Sequence, residues 1–344
     1  MKAKSIYIAI SIALLTISFV SCNEETLYDG PCKVRFVASV QDEVSVTRAT
    51  DGYSDLTNQT PAFDAKLFVS YETTTGTPTA PGYTVSWNGS ALSTSLALET
   101  GDYKFYGYAS VSQQDDASFD NSNKTLTIRY IPGLSDKDML VIKPCSTTVI
   151  SDDISTGTKT VSLQMDHLMA KITPYFYINS EYNNLRDIHI KNVTFSLENA
   201  KTFQANVSYT TSSYETEWSI VNENQPQSVN LYSAPSNTKT FLTTSSSSTV
   251  AQPYGQCYIV PSQKGQDITN LKMTVTYDVY DKQQQLVRKD ETATNKVVVK
   301  VRGTTKTKLE AGKNYKLNIQ ITQKFLISKK KSIKWALPPL EERA

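Results

Sequence analysis

The feature that most constrains the fold is an alternation of apolar and polar residues with a period of two, which recurs along most of the chain. No segment sustains an apolar period of 3.6 residues for three helical turns. Because successive side chains of a β-strand point to opposite faces, this alternation predicts half-buried antiparallel strands. The clearest examples are residues 34–36, 66–69, 103–106, 124–128, 193–197, 273–277, 297–299 and 315–321.

Turn-forming residues separate these segments, as Asn88-Gly89, Pro132-Gly133 and Ala311-Gly312 illustrate. Many short strands at such spacing predict β-sandwiches, and 344 residues are enough for two domains. The polar run at 151–159 is the best candidate for a boundary. The sequence therefore predicts an all-β protein with two tandem antiparallel β-sandwich domains, at 49–155 and 156–344.

The N-terminus predicts export. Lys2 and Lys4 precede an apolar stretch at 6–20, which is short for a transmembrane helix and typical of a signal peptide. The stretch ends at Ser21 and Cys22, an arrangement similar to the lipobox of Gram-negative lipoproteins. It predicts a signal peptide at 1–21, with acyl chains such as palmitate on Cys22 that anchor the protein in the outer membrane. An ordinary signal peptide followed by an incidental cysteine is the alternative.

Composition agrees with export and argues against nucleic acid as a partner. The formal net charge is +2, and removal of the two signal lysines from 35 basic residues leaves 33 against 33 acidic residues. A neutral mature chain has no electrostatic attraction for nucleic acid. Cys32, Cys145 and Cys257 remain besides Cys22. This odd number is no disulfide framework, and a single pair or three free thiols both stay open.

Few residues in the sequence suggest catalytic chemistry. The two histidines, His167 and His189, are too far apart for a short metal motif, and the apolar neighbours of His167 predict a packed, hydrogen-bonded ring. Acidic and amide residues at 115–123 could offer calcium ligands, but they lack the turn glycine of a calcium loop, so a solvated loop is favoured. No nucleophile or phosphate-binding motif occurs. The sequence predicts no enzyme, no metal and no cofactor.

An alternating strand follows soon after Cys22. Its apolar face carries Val34, Phe36, Ala38 and Val40. The segment that follows contains Thr47-Arg48-Ala49 and then Asp51-Gly52, which predicts an accessible turn. A single arginine between small residues in such a loop suits an arginine-specific protease that cuts between Arg48 and Ala49, although any trypsin-like site looks the same.

Together these features resemble the fimbrillins of Bacteroidales, the subunits of type V pili. The resemblance covers most of the mature chain and rests on four places, namely the lipoprotein signal ending at Cys22, Thr47-Arg48-Ala49, residues 166–172 and residues 309–317. It implies two transthyretin-like β-sandwich domains and export as a lipoprotein. It also implies cleavage by an outer-membrane arginine protease and polymerisation by donor-strand exchange.

The resemblance assigns roles to particular segments. Cleavage after Arg48 would release the lipidated segment 22–48 and displace the strand that carries Val34 to Val40. Near the C-terminus, Ile333, Trp335 and Leu337 alternate with Lys334 and Ala336 at 333–337, which makes this segment a candidate donor strand. An ordinary last strand of the second domain is the alternative.

Two functions remain in competition, with a lipoprotein hydrolase disfavoured. The first is a structural subunit of a surface fimbria with a role in adhesion, whose partners are other fimbrial subunits. The second is a surface glycan-binding lipoprotein, because the chain has 20 tyrosines. The sequence leaves open whether the subunit forms the shaft, the tip or the anchor. It also leaves open the processing protease and any host or bacterial surface ligand.

The lipobox predicts that Cys22 is acylated in the precursor. Metabolic labelling with a clickable palmitate should mark the wild type, whereas Cys22→Ala should stay unlabelled because it lacks the acceptor thiol. Equal labelling of the two proteins would show that Cys22 is not the acceptor.

Overall fold

The computed structural model describes residues 31–41, 44–45, 53–55, 63–71, 82–87, 92–110, 117–236, 238–245, 253–261, 264–301 and 304–322. Within these ranges nearly every element is a β-strand, which confirms the all-β prediction. The first twelve strands are β1 (Cys32–Gln41), β2 (Val44–Ser45), β3 (Tyr53–Asp55), β4 (Phe63–Tyr71), β5 (Tyr83–Trp87), β6 (Leu92–Ser93), β7 (Ala97–Leu98), β8 (Gly101–Ser110), β9 (Ala117–Asp120), β10 (Thr125–Pro132), β11 (Leu134–Ser135) and β12 (Met139–Val149).

Two short helices interrupt the remaining strands. Helix α1 (Ser151–Thr156) precedes β13 (Thr158–His167) and β14 (Ala170–Ile178), and helix α2 (Ser180–Asn183) follows them. The later strands are β15 (Asp187–Leu197), β16 (Thr202–Tyr209), β17 (Tyr214–Asn222), β18 (Gln227–Ser233), β19 (Cys257–Ile259), β20 (Lys272–Tyr280), β21 (Leu286–Lys296), β22 (Val299–Val301), β23 (Thr304–Lys306) and β24 (Lys313–Ile321).

The strands form four main sheets and one hairpin. Sheet 1 has the order β3-β1-β13-β12-β8-β4-β5-β6, with β7 also paired to β1. Sheet 2 has the order β17-β16-β10-β9, sheet 3 the order β11-β19-β14-β24-β2, and sheet 4 the order β18-β15-β20-β21. The hairpin is β22-β23.

Most of these pairs are antiparallel, as predicted, but two long pairs are parallel. β1 runs parallel to β13, and β14 runs parallel to β24. A parallel pair needs a long crossover between its strands, and here the crossover is the set of strands that completes each sandwich. The same arrangement thus occurs twice, because a strand early in each half pairs with a strand at the end of that half.

Three buried clusters hold the sheets together. The first core lies within sheet 1 and includes Val34, Phe36, Leu67, Phe105, Ile142, Val161 and Leu163. The second core joins sheets 3 and 4 as a sandwich and includes Ile172, Phe176, Phe195, Val275, Tyr277, Leu317 and Ile319. The bridging cluster joins sheets 1 and 2 and includes Phe68, Tyr106, Tyr108, Leu126, Ile128, Phe203, Val207, Tyr209 and Trp218.

The central strand β12 explains how one sheet serves two clusters. Leu140 and Ile142 belong to the first core, whereas Met139 and Val141 belong to the bridging cluster. A strand buried on both faces needs a continuous apolar run rather than an alternation, and β12 begins with such a run. Sheet 1 is therefore covered on both faces.

The polar run at 151–159 is not a linker between domains. It forms α1 and a turn in which Gly157 has a φ of 70°, and it returns the chain directly from β12 to β13 of the same sheet. Lys159 forms an ion pair with Asp153 across this turn, at 2.8 Å. After β13 the chain enters sheet 3 at β14, through Leu168 and Met169. The predicted boundary between 155 and 156 therefore misplaces β13, because polarity marked a capped turn inside a sheet.

Sheet 2 further ties the two halves of the chain together. Its strands β9 and β10 precede the predicted boundary, whereas β16 and β17 follow it. β16 pairs with β10, and β17 pairs with β16. Tyr209 of β16 is buried in the bridging cluster, where its hydroxyl donates to the Gly107 carbonyl at 3.0 Å and lies 3.3 Å from the Gly107 amide. Burial raises the pKa of Tyr209, so the hydroxyl keeps its proton.

We predict that Tyr209→Phe destabilises the protein by about 1–3 kcal/mol, because the change leaves buried polar groups without a partner. Urea unfolding followed by tryptophan fluorescence measures the difference. Tyr130→Phe is the matched control, since Tyr130 is exposed and should lose nothing measurable. Equal losses in the two variants would contradict this role of the Tyr209 hydroxyl.

Candidate functional site: the β1 slot

β1 occupies a slot in sheet 1 whose sides come from distant parts of the chain. On one edge it pairs with β13 from Lys33 opposite Thr158 to Val40 opposite Met165. On the other edge it pairs with β7 at its start and with β3 at its end. The predicted strand through Val34, Phe36, Ala38 and Val40 is thus confirmed as a strand.

Its side chains alternate as the sequence pattern requires. Cys32, Val34 and Phe36 are buried in the first core, and Ala38 is half-buried against it. The intervening Lys33, Arg35 and Val37 are exposed. The side chain of Val40 lies outside the described part of the structure.

Phe36 is the largest side chain that β1 contributes to the core. It is 3% exposed, and its ring meets Phe105 of β8 edge to face, with centroids 5.5 Å apart and an interplanar angle of 85°. Such an aromatic pair contributes about 0.5–1.5 kcal/mol beyond the burial of apolar area. Phe36 is therefore the largest buried anchor of β1.

The start of β1 is fixed by backbone hydrogen bonds from both sides. The Lys33 amide donates to the Gly157 carbonyl, and the Val34 amide donates to the Leu96 carbonyl, each at 3.0 Å. In the described ranges no strand pairs with residues 35–38 on the β7–β3 edge. The middle of β1 is thus held in the sheet chiefly by β13 and by its buried side chains.

The chain continues from β1 into the other half of the protein. β2 pairs in parallel with β24, with Val44 opposite Lys313 and Ser45 opposite Asn314. β3 then returns to sheet 1 and pairs antiparallel with the end of β1. The predicted cleavage site at Arg48 and Ala49 falls between β2 and β3, outside the described residues.

A cut at that position would leave β1 and β2 attached to the protein only by non-covalent contacts. The other predicted site residues also lie outside the described ranges, so their roles stay predictions: Cys22, Ile333, Trp335 and Leu337. The turn that resembles a fimbrillin motif does lie within them. Gly312 has a φ of 67° immediately before β24, where the left-handed backbone suits glycine.

Both histidines are hydrogen-bonded to other residues of the fold. Nδ1 of His167 is hydrogen-bonded to the Asp138 carboxylate, and Nδ1 of His189 lies 3.0 Å from the Thr240 carbonyl. The packed, hydrogen-bonded ring predicted for His167 is therefore confirmed. No cluster of three or more potential metal ligands occurs among the described residues.

Asp120 belongs to the run of acidic and amide residues at 115–123. Its Oδ1 accepts from the Ser122 amide at 2.9 Å, and its Oδ2 accepts from the Asn123 side chain at 2.8 Å. Hydrogen bonds from the Ser122 side chain and backbone hold the pKa of this carboxyl below its usual value. Both oxygens close a turn, which agrees with the favoured solvated loop.

The three cysteines in the described ranges are free thiols. Cys32 and Cys257 are buried, and burial raises the pKa of both. The Cys145 thiol donates to the Ser162 carbonyl at 3.1 Å, and burial raises its pKa as well. These thiols act as small packing groups rather than as nucleophiles.

No helix in the described ranges is long and apolar enough to span a membrane.

No protein-family model and no curated protein matches the sequence. Among solved structures, the chain is similar to a proposed cell adhesion protein of Bacteroides fragilis, with 10% identity, a TM-score of 0.44 and coverage of 83% of this chain and 91% of that chain. It is also similar to a proposed cell adhesion protein of Bacteroides ovatus, with 13% identity and a TM-score of 0.41. That match covers 85% of this chain and 92% of that chain.

A fimbrial protein of Bacteroides vulgatus is similar at 14% identity and a TM-score of 0.31, covering 83% of this chain and 95% of that chain. At such identities and TM-scores these likenesses carry no argument about function.

Sequence reasoning missed the strands that form the slot. β13 carries a readable signal, because Val161, Leu163 and Met165 alternate with polar residues and are all buried. The short strands β3 and β7 carry none, since two or three residues are too few to show a period. The positions of β3 and β7 depend on their pairing with β1.

We predict that Phe36→Ala destabilises the protein by about 3–5 kcal/mol, because it empties a fully enclosed pocket beside Phe105. Val37→Ala on the same strand is the matched control; Val37 is 42% exposed, and its truncation should change stability by less than about 0.5 kcal/mol. Chemical denaturation of the two variants measures the contrast. Similar losses would mean that β1 is not part of the core in solution.

Proposed function

We propose that this protein is a structural subunit of a surface fimbria, exported as a lipoprotein and assembled by strand exchange at the β1 slot. One observation carries the proposal. β1 fills part of the first core, and its covalent link to β3 and all later strands runs through residues 42–52, which contain Arg48. A single cut there would turn an internal strand into a replaceable ligand.

Loss of β1 would leave a site that only another strand fills well. The pocket of Phe36 would be empty, and the β1-facing edge of β13 from Thr158 to Met165 would lose its hydrogen-bond partners. Unpaired backbone groups and exposed apolar side chains are both costly, and an added strand satisfies both at once. This requirement favours a partner that is itself an alternating strand.

The segment at 333–337 has the spacing that the slot requires. Ile333, Trp335 and Leu337 are two residues apart, as are Val34, Phe36 and Ala38 of β1. If Trp335 enters the pocket of Phe36, Ile333 takes the place of Val34 and Leu337 that of Ala38. The donor then runs parallel to β13, as β1 does.

Cleavage by itself would not eject β1. Its contacts persist after the cut, and while it is still attached its high effective concentration excludes any donor. Ordering a free donor costs about 1–2 kcal/mol per residue in backbone entropy, so the donor needs several buried side chains to compete. Trp335 is the largest of these side chains and should contribute most.

A role in adhesion and a position at the cell surface belong to the same proposal, with other subunits as partners and the lipid on Cys22 as the anchor before processing. We assign no enzymatic role, because both histidines serve as hydrogen-bonded structural groups. A lipoprotein that stays intact and binds glycans is the second candidate. Mass spectrometry of the mature protein separates the two, since only a processed subunit lacks residues 22–48.

We predict that Arg48→Ala stays monomeric after treatment with an arginine-specific protease, because β1 remains covalently attached. Arg35→Ala is the matched control; it removes an exposed arginine from β1 itself and should be processed and polymerise like the wild type. SDS-resistant ladders on gels of unboiled samples report assembly. Polymers formed by uncleaved Arg48→Ala would overturn the proposed mechanism.

In the same assay Trp335→Ala should be cut at the normal rate and polymerise poorly, since it lacks the main donor anchor. Normal polymerisation of this variant would exclude the segment at 333–337 as the donor.

A further inference from the structure

A bulge in sheet 2 projects two side chains into solvent. Ile128 pairs with Ala205, and Ile131 pairs with Phe203, so Arg129 and Tyr130 together face only Gln204. An extra residue of this kind re-aims side chains at the edge of a regular ladder. Both Arg129 and Tyr130 are exposed, and Tyr130 is 52% exposed.

The backbone of Tyr130 is in an unfavourable region. Its φ of 58° lies in the left-handed region, which glycine and asparagine adopt easily and bulky residues rarely do. Aromatic side chains are also costly to leave in water. A large exposed ring at a position that favours a small residue indicates a use for the ring.

Beside the bulge lies a floor of amide and hydroxyl groups, formed by Thr127, Gln204, Asn206 and Ser219. Oδ1 of Asn206 accepts from Oγ1 of Thr127 at 3.1 Å and from Nε2 of Gln204 at 3.0 Å. Ser219, on the neighbouring strand β17, pairs with Gln204 of β16. Nδ2 of Asn206 and Oε1 of Gln204 make no hydrogen bond to any residue in the described ranges.

The floor is rigid and close to electrical neutrality. Its strands are fixed from behind by the bridging cluster, in which Ile128, Ala205 and Trp218 are buried. Glu217, which pairs with Asn206, is matched by Lys264 at 3.3 Å. Groups placed on a packed sheet keep their mutual geometry, as a binding site requires.

We propose that this face of sheet 2 binds a neutral carbohydrate. The Tyr130 ring would stack on the C–H face of one sugar unit, while Nδ2 of Asn206 would donate to its hydroxyls and Oε1 of Gln204 would accept from them. Together these two atoms offer a donor and an acceptor, which matches hydroxyl groups that do both. The proposal gives a ligand class to the adhesion role proposed above and is independent of strand exchange.

The same features disfavour other partners. A protein interface of good affinity needs an apolar centre, and the floor itself is polar, with Ile220 of β17 as an exposed apolar neighbour at its margin. Nucleic acid needs a basic surface, whereas the floor is close to electrical neutrality and Glu215 lies along the adjacent strand. A neutral sugar suits a face with one exposed ring and several neutral hydrogen-bonding groups.

Affinity electrophoresis of the uncleaved protein tests the proposal. Native gels that contain mannan, xylan, galactan or β-glucan should retard the wild type in at least one case, and titration calorimetry with the corresponding hexasaccharide then gives the affinity. Because the uncleaved monomer is used, a failure of fimbrial assembly leaves this result unaffected.

Three variants sharpen the test. Tyr130→Asn should weaken binding at least about tenfold while its Tm stays equal or rises, because asparagine tolerates the left-handed backbone. Tyr130→Phe should bind nearly as well as the wild type, since it keeps the ring. Ile150→Ala changes another exposed apolar side chain and should have no effect.

Three results would overturn the proposal. The first is a wild type that no neutral polysaccharide retards. The second is undiminished binding by Tyr130→Asn. The third is retardation by polygalacturonate alone, which would show charge attraction to Arg129 in place of sugar recognition.

Discussion

The parallel pairing of β1 with β13 is the interaction on which the first half of the structure depends. It places Cys32, Val34 and Phe36 inside the first core and fixes the positions of β3 and β7 on the opposite edge. More than a hundred residues separate the two strands, so closing this pair costs loop entropy that its contacts must offset. β1 therefore packs in the first core, although its main partner strand is distant from it in the sequence.

The slot is also in packing contact with the rest of the protein, through strands that are buried on both faces. Phe105 of β8 touches Phe36, while the next residue, Tyr106, packs in the bridging cluster near Tyr209. Sheet 1 thus connects β1 to sheet 2, whose strands come from both halves of the chain. We expect the two halves to behave as one cooperative unit.

The sequence predicted those features that depend on local pattern. The alternation of residues 34–36 and 315–321 identified β1 and β24, and the neighbours of His167 indicated a packed ring. Pairing could not be predicted, because β1 has no local signal that selects β13 over other strands. The polar run at 151–159 was misinterpreted for a related reason: capped turns and linkers share the same composition.

The bulge at Arg129 and Tyr130 also could not be predicted from the sequence, because it depends on how β10 pairs with β16. The pattern at 124–128 reads as a regular strand, and nothing in it shows that two residues will face Gln204 alone. Such a site becomes visible only when the register with β16 is known. Sequence therefore constrains which residues form strands, and register decides which side chains become available for binding.

We expect β1 to leave its slot when the subunit assembles, and a disulfide between β1 and β13 would prevent this. Arg35 and Thr160 are register partners with exposed side chains, so cysteines at both positions can form a disulfide between β1 and β13. After cleavage at Arg48, the oxidised double variant should remain monomeric, and reduction should restore polymerisation. Equal polymerisation of the oxidised and reduced forms would show that β1 stays in its slot during assembly.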